Sequence, residues 1–115
     1  MEVTHVFTGL PVSDYDVACG WYERLLGRPP DRLPKADEAV WQLSDSALVY
    51  VVADQSRAGG GLLTIAVTHL DEHLAELVER RISIESETLE DGLRKVSASD
   101  PDGNTISFFE PSAMT

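Results

Sequence analysis

The sequence predicts a single α+β domain built from two copies of one strand–helix–strands unit. Three observations carry this. The chain has 115 residues, the length of one domain. Segments with β and helical patterning recur in the same order in both halves, and the polar stretch ending in Gly59-Gly60-Gly61 divides them.

In the first half, Val3 to Leu10 is β-prone through Val3, Val6, Phe7 and Thr8. Ser13 or Asp14 can then cap a helix. From Val17 to Leu26 the apolar residues Ala18, Trp21, Tyr22, Leu25 and Leu26 fall at helical spacing. Gly27 supplies a C-cap and Pro29-Pro30 prevent continuation, so a helix is expected near 13–26. A polar connection leads to a strand from Ala39 to Leu43, a tight turn at Ser44-Asp45 and a strand from Ala47 to Ala53.

In the second half, Leu62 to Val67 reads as a strand and Asp71 to Arg81 as a helix, with Leu70, Leu74, Leu77 and Val78 on one face. The helix is expected over about 70–81. Strands follow at Ile82 to Glu87, Leu93 to Ala98 and Thr105 to Glu110. Asp100-Pro101-Asp102-Gly103-Asn104 joins the last two. Pro101 fixes φ at the second turn position and Gly103 can take positive φ, which makes a hairpin. The division is module one at 1–54, a linker at 55–61 and module two at 62–112.

Composition narrows the function classes. The net charge is −11, with nine basic residues against twenty acidic ones, so the chain lacks the cations that neutralise nucleic-acid phosphates or anionic lipids. A cationic ligand suits this field. No apolar run approaches membrane-span length, and Met1-Glu2-Val3-Thr4-His5 lacks a basic segment leading into an apolar one. Cys19 is the single cysteine, so no intrachain disulfide forms, and a cytoplasmic location is expected. Cys19 itself reads as a structural thiol beside the helix stripe.

Thr4-His5-Val6-Phe7, Trp21-Tyr22-Glu23-Arg24-Leu25-Leu26-Gly27 and Ser99-Asp100-Pro101-Asp102-Gly103-Asn104-Thr105-Ile106 stand in this order across nearly the whole chain. In that order and spacing they resemble the vicinal oxygen chelate superfamily of glyoxalases, bleomycin resistance proteins and dioxygenases. The resemblance implies two βαβββ modules with curled mixed sheets around a cavity. In metal-dependent members, one residue from each of four strands holds a divalent cation. Carried over, these positions are His5, Thr64, Tyr50 and Ser107.

Only His5 matches the ligand types the family uses. Neutral hydroxyls at Thr64 and Ser107 bind first-row metals poorly, and Tyr50 needs a strong metal field to become a phenolate. One imidazole does not hold a catalytic ion, so no metal or other cofactor is expected. No catalytic residue is assigned. His5 and Tyr50 are the acid–base candidates if a reaction occurs.

With a two-residue turn at Ser44-Asp45, Trp41 pairs with Leu48 and shares a sheet face with Tyr50 and Val52. His5, Phe7, Thr64, Ala66, Ser107 and Phe109 are the matching positions elsewhere. The candidate ligand-binding set is therefore His5, Phe7, Trp41, Leu48, Tyr50, Thr64, Ser107 and Phe109. It describes an aromatic, mostly apolar concavity suited to an organic molecule with a flat ring system, aromatic or cationic. Alternatively, these side chains pack against each other or across a dimer.

His69, Glu72 and His73 spell H-x-x-E-H, a spacing of some zinc peptidases, but the chain has no room for such a domain, and helix capping is the simpler reading. The resemblance thus implies a metal-free binder that sequesters a drug or metabolite, in the manner of antibiotic-resistance members. The alternative is a glyoxalase-type lyase or isomerase, or an extradiol-type dioxygenase. A homodimer is expected, because pairing covers an open sheet edge and a half-exposed concavity.

Overall fold

The computed structural model describes residues 1–111. Module one runs β1 (Val6–Val12), α1 (Tyr15–Leu26), β2 (Arg32–Lys35), β3 (Glu38–Gln42) and β4 (Ala47–Ala53). Module two runs β5 (Leu62–Ala66), α2 (Leu70–Glu79), β6 (Glu85–Thr88), β7 (Arg94–Ser99) and β8 (Thr105–Phe109). Both are βαβββ units, and each forms a four-stranded mixed sheet, β1-β4-β3-β2 and β5-β8-β7-β6. The first strand of each module lies parallel to its last; the remaining pairs are antiparallel. The module-two boundary at 112 lies outside the described residues.

α1 begins where Asp14 accepts a hydrogen bond from the Val17 amide at 3.1 Å and ends at left-handed Gly27. α2 has no cap of its own. The Glu110 carboxylate, just past β8, accepts from the Leu70 amide at 2.8 Å instead. Both helices cover one side of the sheets. Leu10, Val12, Ala39, Trp41, Val49 and Val51 of sheet one, with Ala98, Ile106 and Phe108 of sheet two, join Trp21, Tyr22 and Leu25 of α1 and Leu77 of α2 in one shared core.

Several expected boundaries move. The first strand starts at Val6, not Val3, and runs through Pro11 to Val12. Pro11 is tolerated because β1 is an edge strand, with β4 as its only strand partner among the described residues. The polar connection after α1 contains β2, whose four residues are all exposed and carry no alternation to read. The strand expected from Ile82 starts at Glu85. Ile82 instead closes the helix end: its amide bonds to Leu77 O at 2.9 Å and its side chain is buried.

The β3–β4 hairpin changes a functional expectation. Leu43 N bonds to Ala47 O at 2.8 Å, so Ser44, Asp45 and Ser46 form the loop, and Trp41 pairs with Val49 rather than Leu48. One residue of register moves every side chain of β3 to the other face. Trp41 therefore lies on the helix side, fully buried, with its indole N–H donating to Arg28 O at 2.9 Å and its ring 6.2 Å from that of Tyr22. It is a core residue.

The β7–β8 hairpin also fastens the modules together. Asp100 N bonds to Asn104 O, Gly103 N returns to Asp100 O, and Gly103 takes φ 98°. The Asp100 carboxylate accepts from the Asp102 and Asn104 amides at 2.9 Å, from Asn104 Nδ2 at 2.8 Å and from the Tyr22 hydroxyl of α1 at 2.7 Å. Asn104 accepts from Gly61 N at 2.7 Å and donates to Pro11 O at 2.8 Å. The Ser13 amide and hydroxyl donate to Asp102 at 3.0 and 2.5 Å. Buried polar groups need partners, and here those partners join β1 and α1 to module two.

Candidate functional site

The helices cover one face of each sheet, so function has to be sought on the other. Strand pairing defines that face in rows. In module two, Thr64 pairs with Ser107, Ser107 with Ser97, and Ser97 with Glu85. A single row across all four strands is thus three hydroxyls and a carboxylate. Leu62, Thr105 and Ser99 form the row on one side; Ala66, Phe109, Lys95 and Glu87 form the row on the other.

This face is concave. It bounds an open cavity of about 640 Å³, whose floor and walls include Thr64, Ser97, Ser107, Glu85, Glu87 and Lys95. The volume falls in the range of small-molecule sites. Ser97 Oγ and Ser107 Oγ lie 2.9 Å apart, and Ser107 is only 4% exposed. Leu62, at the rim, is 81% exposed.

The same face of module one has the same geometry and different side chains. Gly9 pairs with Tyr50, and Tyr50 with Val40; Phe7 pairs with Leu48, and Leu48 with Gln42. A Cβ on Gly9 would stand 2.4 Å from Tyr50 Cζ, so the phenol ring lies directly over the glycine backbone. The close approach requires glycine there. Leu48 and Val40 are buried, while Phe7 is 53% exposed.

The candidate ligand-binding residues are thus distributed over five places. Thr64 and Ser107 lie in the cup. Phe109 shares their sheet face one row further on. Phe7, Leu48 and Tyr50 belong to the other sheet, and Trp41 lies in the core. His5 precedes β1 and is exposed; the β1 residue opposite Tyr50, as Thr64 is opposite Ser107, is Gly9. An aromatic slot of Trp41, Tyr50 and Phe109 is therefore not formed.

Glu85, Glu87, Lys95, Ser97 and Ser99 were not among the candidates from sequence. For the β7 residues the signal was the alternation with buried Val96 and Ala98, which marks an outward face without revealing that it is concave; β6 is exposed throughout and carries no such period.

Of the four positions carried over from the family's metal-dependent members, Thr64 and Ser107 offer hydroxyls and Tyr50 a phenol, all poor donors for a divalent cation, and His5 stands exposed ahead of β1. These residues do not fit a catalytic metal. Among the described residues, no three His, Cys, Asp or Glu side chains come together as a metal-binding group, His69, Glu72 and His73 included. His69 is the left-handed residue that opens α2, with no side-chain cap bond. Burial pushes the Cys19 thiol up from its ordinary value, which disfavours the reactive thiolate. Among the described residues, no helix is long and apolar enough to cross a membrane.

Neither a family model nor a curated protein matches the sequence. Solved structures do. A glyoxalase/bleomycin resistance protein from Catenulispora acidiphila is 39% identical, with 96% of this chain and 99% of that one covered and a TM-score of 0.90. TnmS3, an antibiotic binding protein from a Streptomyces species, is 25% identical over 97% of this chain and 99% of its own, with a TM-score of 0.77. A bleomycin-binding protein complexed with bleomycin, 21% identical over 94% of this chain and 98% of its own, shares the fold with a TM-score of 0.76. With its paired βαβββ modules and this likeness over nearly its whole length, the chain belongs to the glyoxalase/bleomycin resistance protein family of the vicinal oxygen chelate superfamily.

Proposed function

We propose that this protein binds a small organic molecule in the cup of module two and acts by sequestering it, without a metal. The observation that carries this reading is the row Thr64, Ser107, Ser97 and Glu85 lining a 640 Å³ cavity. Such a row can form hydrogen bonds with an organic ligand and is a weak set of metal donors. Two structurally similar proteins are named for binding an antibiotic or bleomycin, which supports the same class of role here. The acidic chain favours a cationic ligand.

A homodimer belongs to this reading. Leu62 and Phe7 stand exposed on the outer faces of the two sheets, and a second copy would cover them and narrow the cup. The compartment we assign is the cytoplasm, consistent with a chain whose one cysteine, Cys19, cannot form an intrachain disulfide.

The test is a thermal-shift screen of natural products, paired with elemental analysis of protein purified without chelator. A ligand at about 100 times its dissociation constant adds about 2.7 kcal/mol of stability. The reading expects such a ligand and substoichiometric metal. About one zinc, nickel, manganese or iron per chain would contradict it.

A further inference from the structure

We propose that the module-two cup takes the aminated, hydroxyl-rich portion of its ligand, an amino-sugar type of group, with Glu85 seating an ammonium and Ser97 and Ser107 bonding adjacent hydroxyls. This rests on the reading that the cup binds a small organic molecule, and it specifies the chemistry.

The cup's lining contains no Phe, Tyr or Trp, so it offers no ring face for stacking. Beside the aliphatic Leu62, Leu63 and Ile84, it offers an ordered set of polar groups. Neighbouring strands stand about 4.8 Å apart. Thr64, Ser107, Ser97 and Glu85 therefore stand on four neighbouring strands across the floor, with the Ser97 and Ser107 hydroxyls drawn to 2.9 Å, on the scale of vicinal hydroxyls of a saturated ring.

Proton counting points the same way. Ser97 and Ser107 carry two hydroxyl protons, and the contact between them uses one. The other proton has an acceptor to find, and both oxygens keep lone pairs for donors. Ser107 is nine-tenths buried and lines the cavity, so a molecule in the cup can meet these needs directly.

Charge then selects among hydroxylated ligands. Glu87 stands opposite Lys95 in the β6–β7 register, where the neighbouring cation offsets its charge although the two form no ion pair. Glu85 instead faces neutral Ser97, and none of the ion pairs among the described residues includes it. Its charge stays available to a ligand beside the serine pair. A hydroxyl-rich ligand without an amine leaves this carboxylate unmatched, and a cation without hydroxyls leaves the serine pair unmatched.

The test is calorimetric titration of the full chain with four probes. Kanamycin A carries amines and hydroxyls, per-N-acetylated kanamycin keeps the hydroxyls without the charges, maltotriose is a neutral trisaccharide, and berberine is an aromatic cation without hydroxyls. Kanamycin is expected to bind, with the acetylated form and maltotriose weaker by about tenfold or more. Glu85→Gln should weaken kanamycin to the same degree, whereas Glu79→Gln, which removes an equal charge from the exposed side of α2, should not. Ser107→Ala should weaken kanamycin and maltotriose alike. Glu85 is exposed on a surface strand, so its variant keeps the fold, and matching melting curves verify this.

Kanamycin binding no tighter than its acetylated form, or equal losses from Glu85→Gln and Glu79→Gln, overturns the inference. If berberine binds, more weakly to Ser107→Ala, and kanamycin does not, the inference falls while the cup remains a binding site. If no probe and no compound from the wider natural-product screen binds, both fall together.

Discussion

Module one and module two share strand order, pairing and the placement of the helix, and they differ on the faces the helices leave free. In module one, the row through the sheet centre is Gly9, Tyr50 and Val40, with the Tyr50 ring laid over Gly9. In module two, the corresponding row is Thr64, Ser107, Ser97 and Glu85, and it lines an open cup. The helix-facing residues hold both sheets to one core, so the outward positions can diverge without disturbing the fold. One repeat has filled its face with its own side chain, whereas the other has kept a polar hollow.

The largest effect should come from the residue that sequence placed in the ligand site and the structure places in the core. Trp41→Ala removes a fully buried indole and should cost about 3–5 kcal/mol in chemical denaturation. Under conditions where the variant stays folded, ligand affinity should match the parent. A loss of affinity without a loss of stability would return Trp41 to the binding face and break the contrast between the modules.

Gly9→Ala tests the filled face. The new methyl collides with the Tyr50 ring, which has to move, at a cost of about 1–3 kcal/mol. Cup binding should be unaffected, because Gly9 and Tyr50 belong to the other sheet. Equal stability of the variant and the parent in urea would mean that the ring does not lie over the glycine.

The seam between the modules has a pH signature. Burial first, then the hydrogen bond to Asp100 and the charges of Asp100 and Asp102, push the Tyr22 hydroxyl far above its ordinary value near 10. A pKa raised in the folded state means that its stabilisation is complete below pH 10 and is lost as pH rises beyond that. Each pH unit past 10 should remove up to about 1.4 kcal/mol until the folded group itself ionises. Urea unfolding at pH 8, 10 and 11 measures this. Tyr22→Phe should be less stable at pH 8 and should show a smaller further loss at pH 11. An unchanged pH slope would show that Tyr22 does not couple α1 to the second module.

Much of this architecture was legible in the chain because its signals are local. Strand β4 was read at its observed bounds from a continuous apolar run, and the Asp100–Asn104 turn from its Pro and Gly. β2 was not, since Arg32–Lys35 is exposed throughout and has no buried face to imprint a period. The hairpin after Gln42 failed on arithmetic: Ser44, Asp45 and Ser46 are small polar residues that suit a loop of two or three, and the choice decides which way Trp41 points.

Part of the cup's lining was legible. Thr64 and Ser107 came from the family pattern, and the structure brings them side by side in the cup. His5 was placed on a strand read from Val3, whereas β1 begins at Val6 and leaves His5 ahead of it, with Gly9 the strand partner of Tyr50. The walls at Glu85, Glu87 and Lys95 were not legible, because exposed charged strand residues look the same in sequence on a flat sheet and in a hollow one.

The most direct test is amide NMR of the isotopically labelled protein during titration with the strongest hit from the natural-product screen. The account predicts saturable shifts that are largest at Thr64, Glu85, Ser97 and Ser107, the four residues of one row across module two. Shifts centred on the helix side, at Leu26, His73 and Leu74, with the cup residues unmoved, would contradict it.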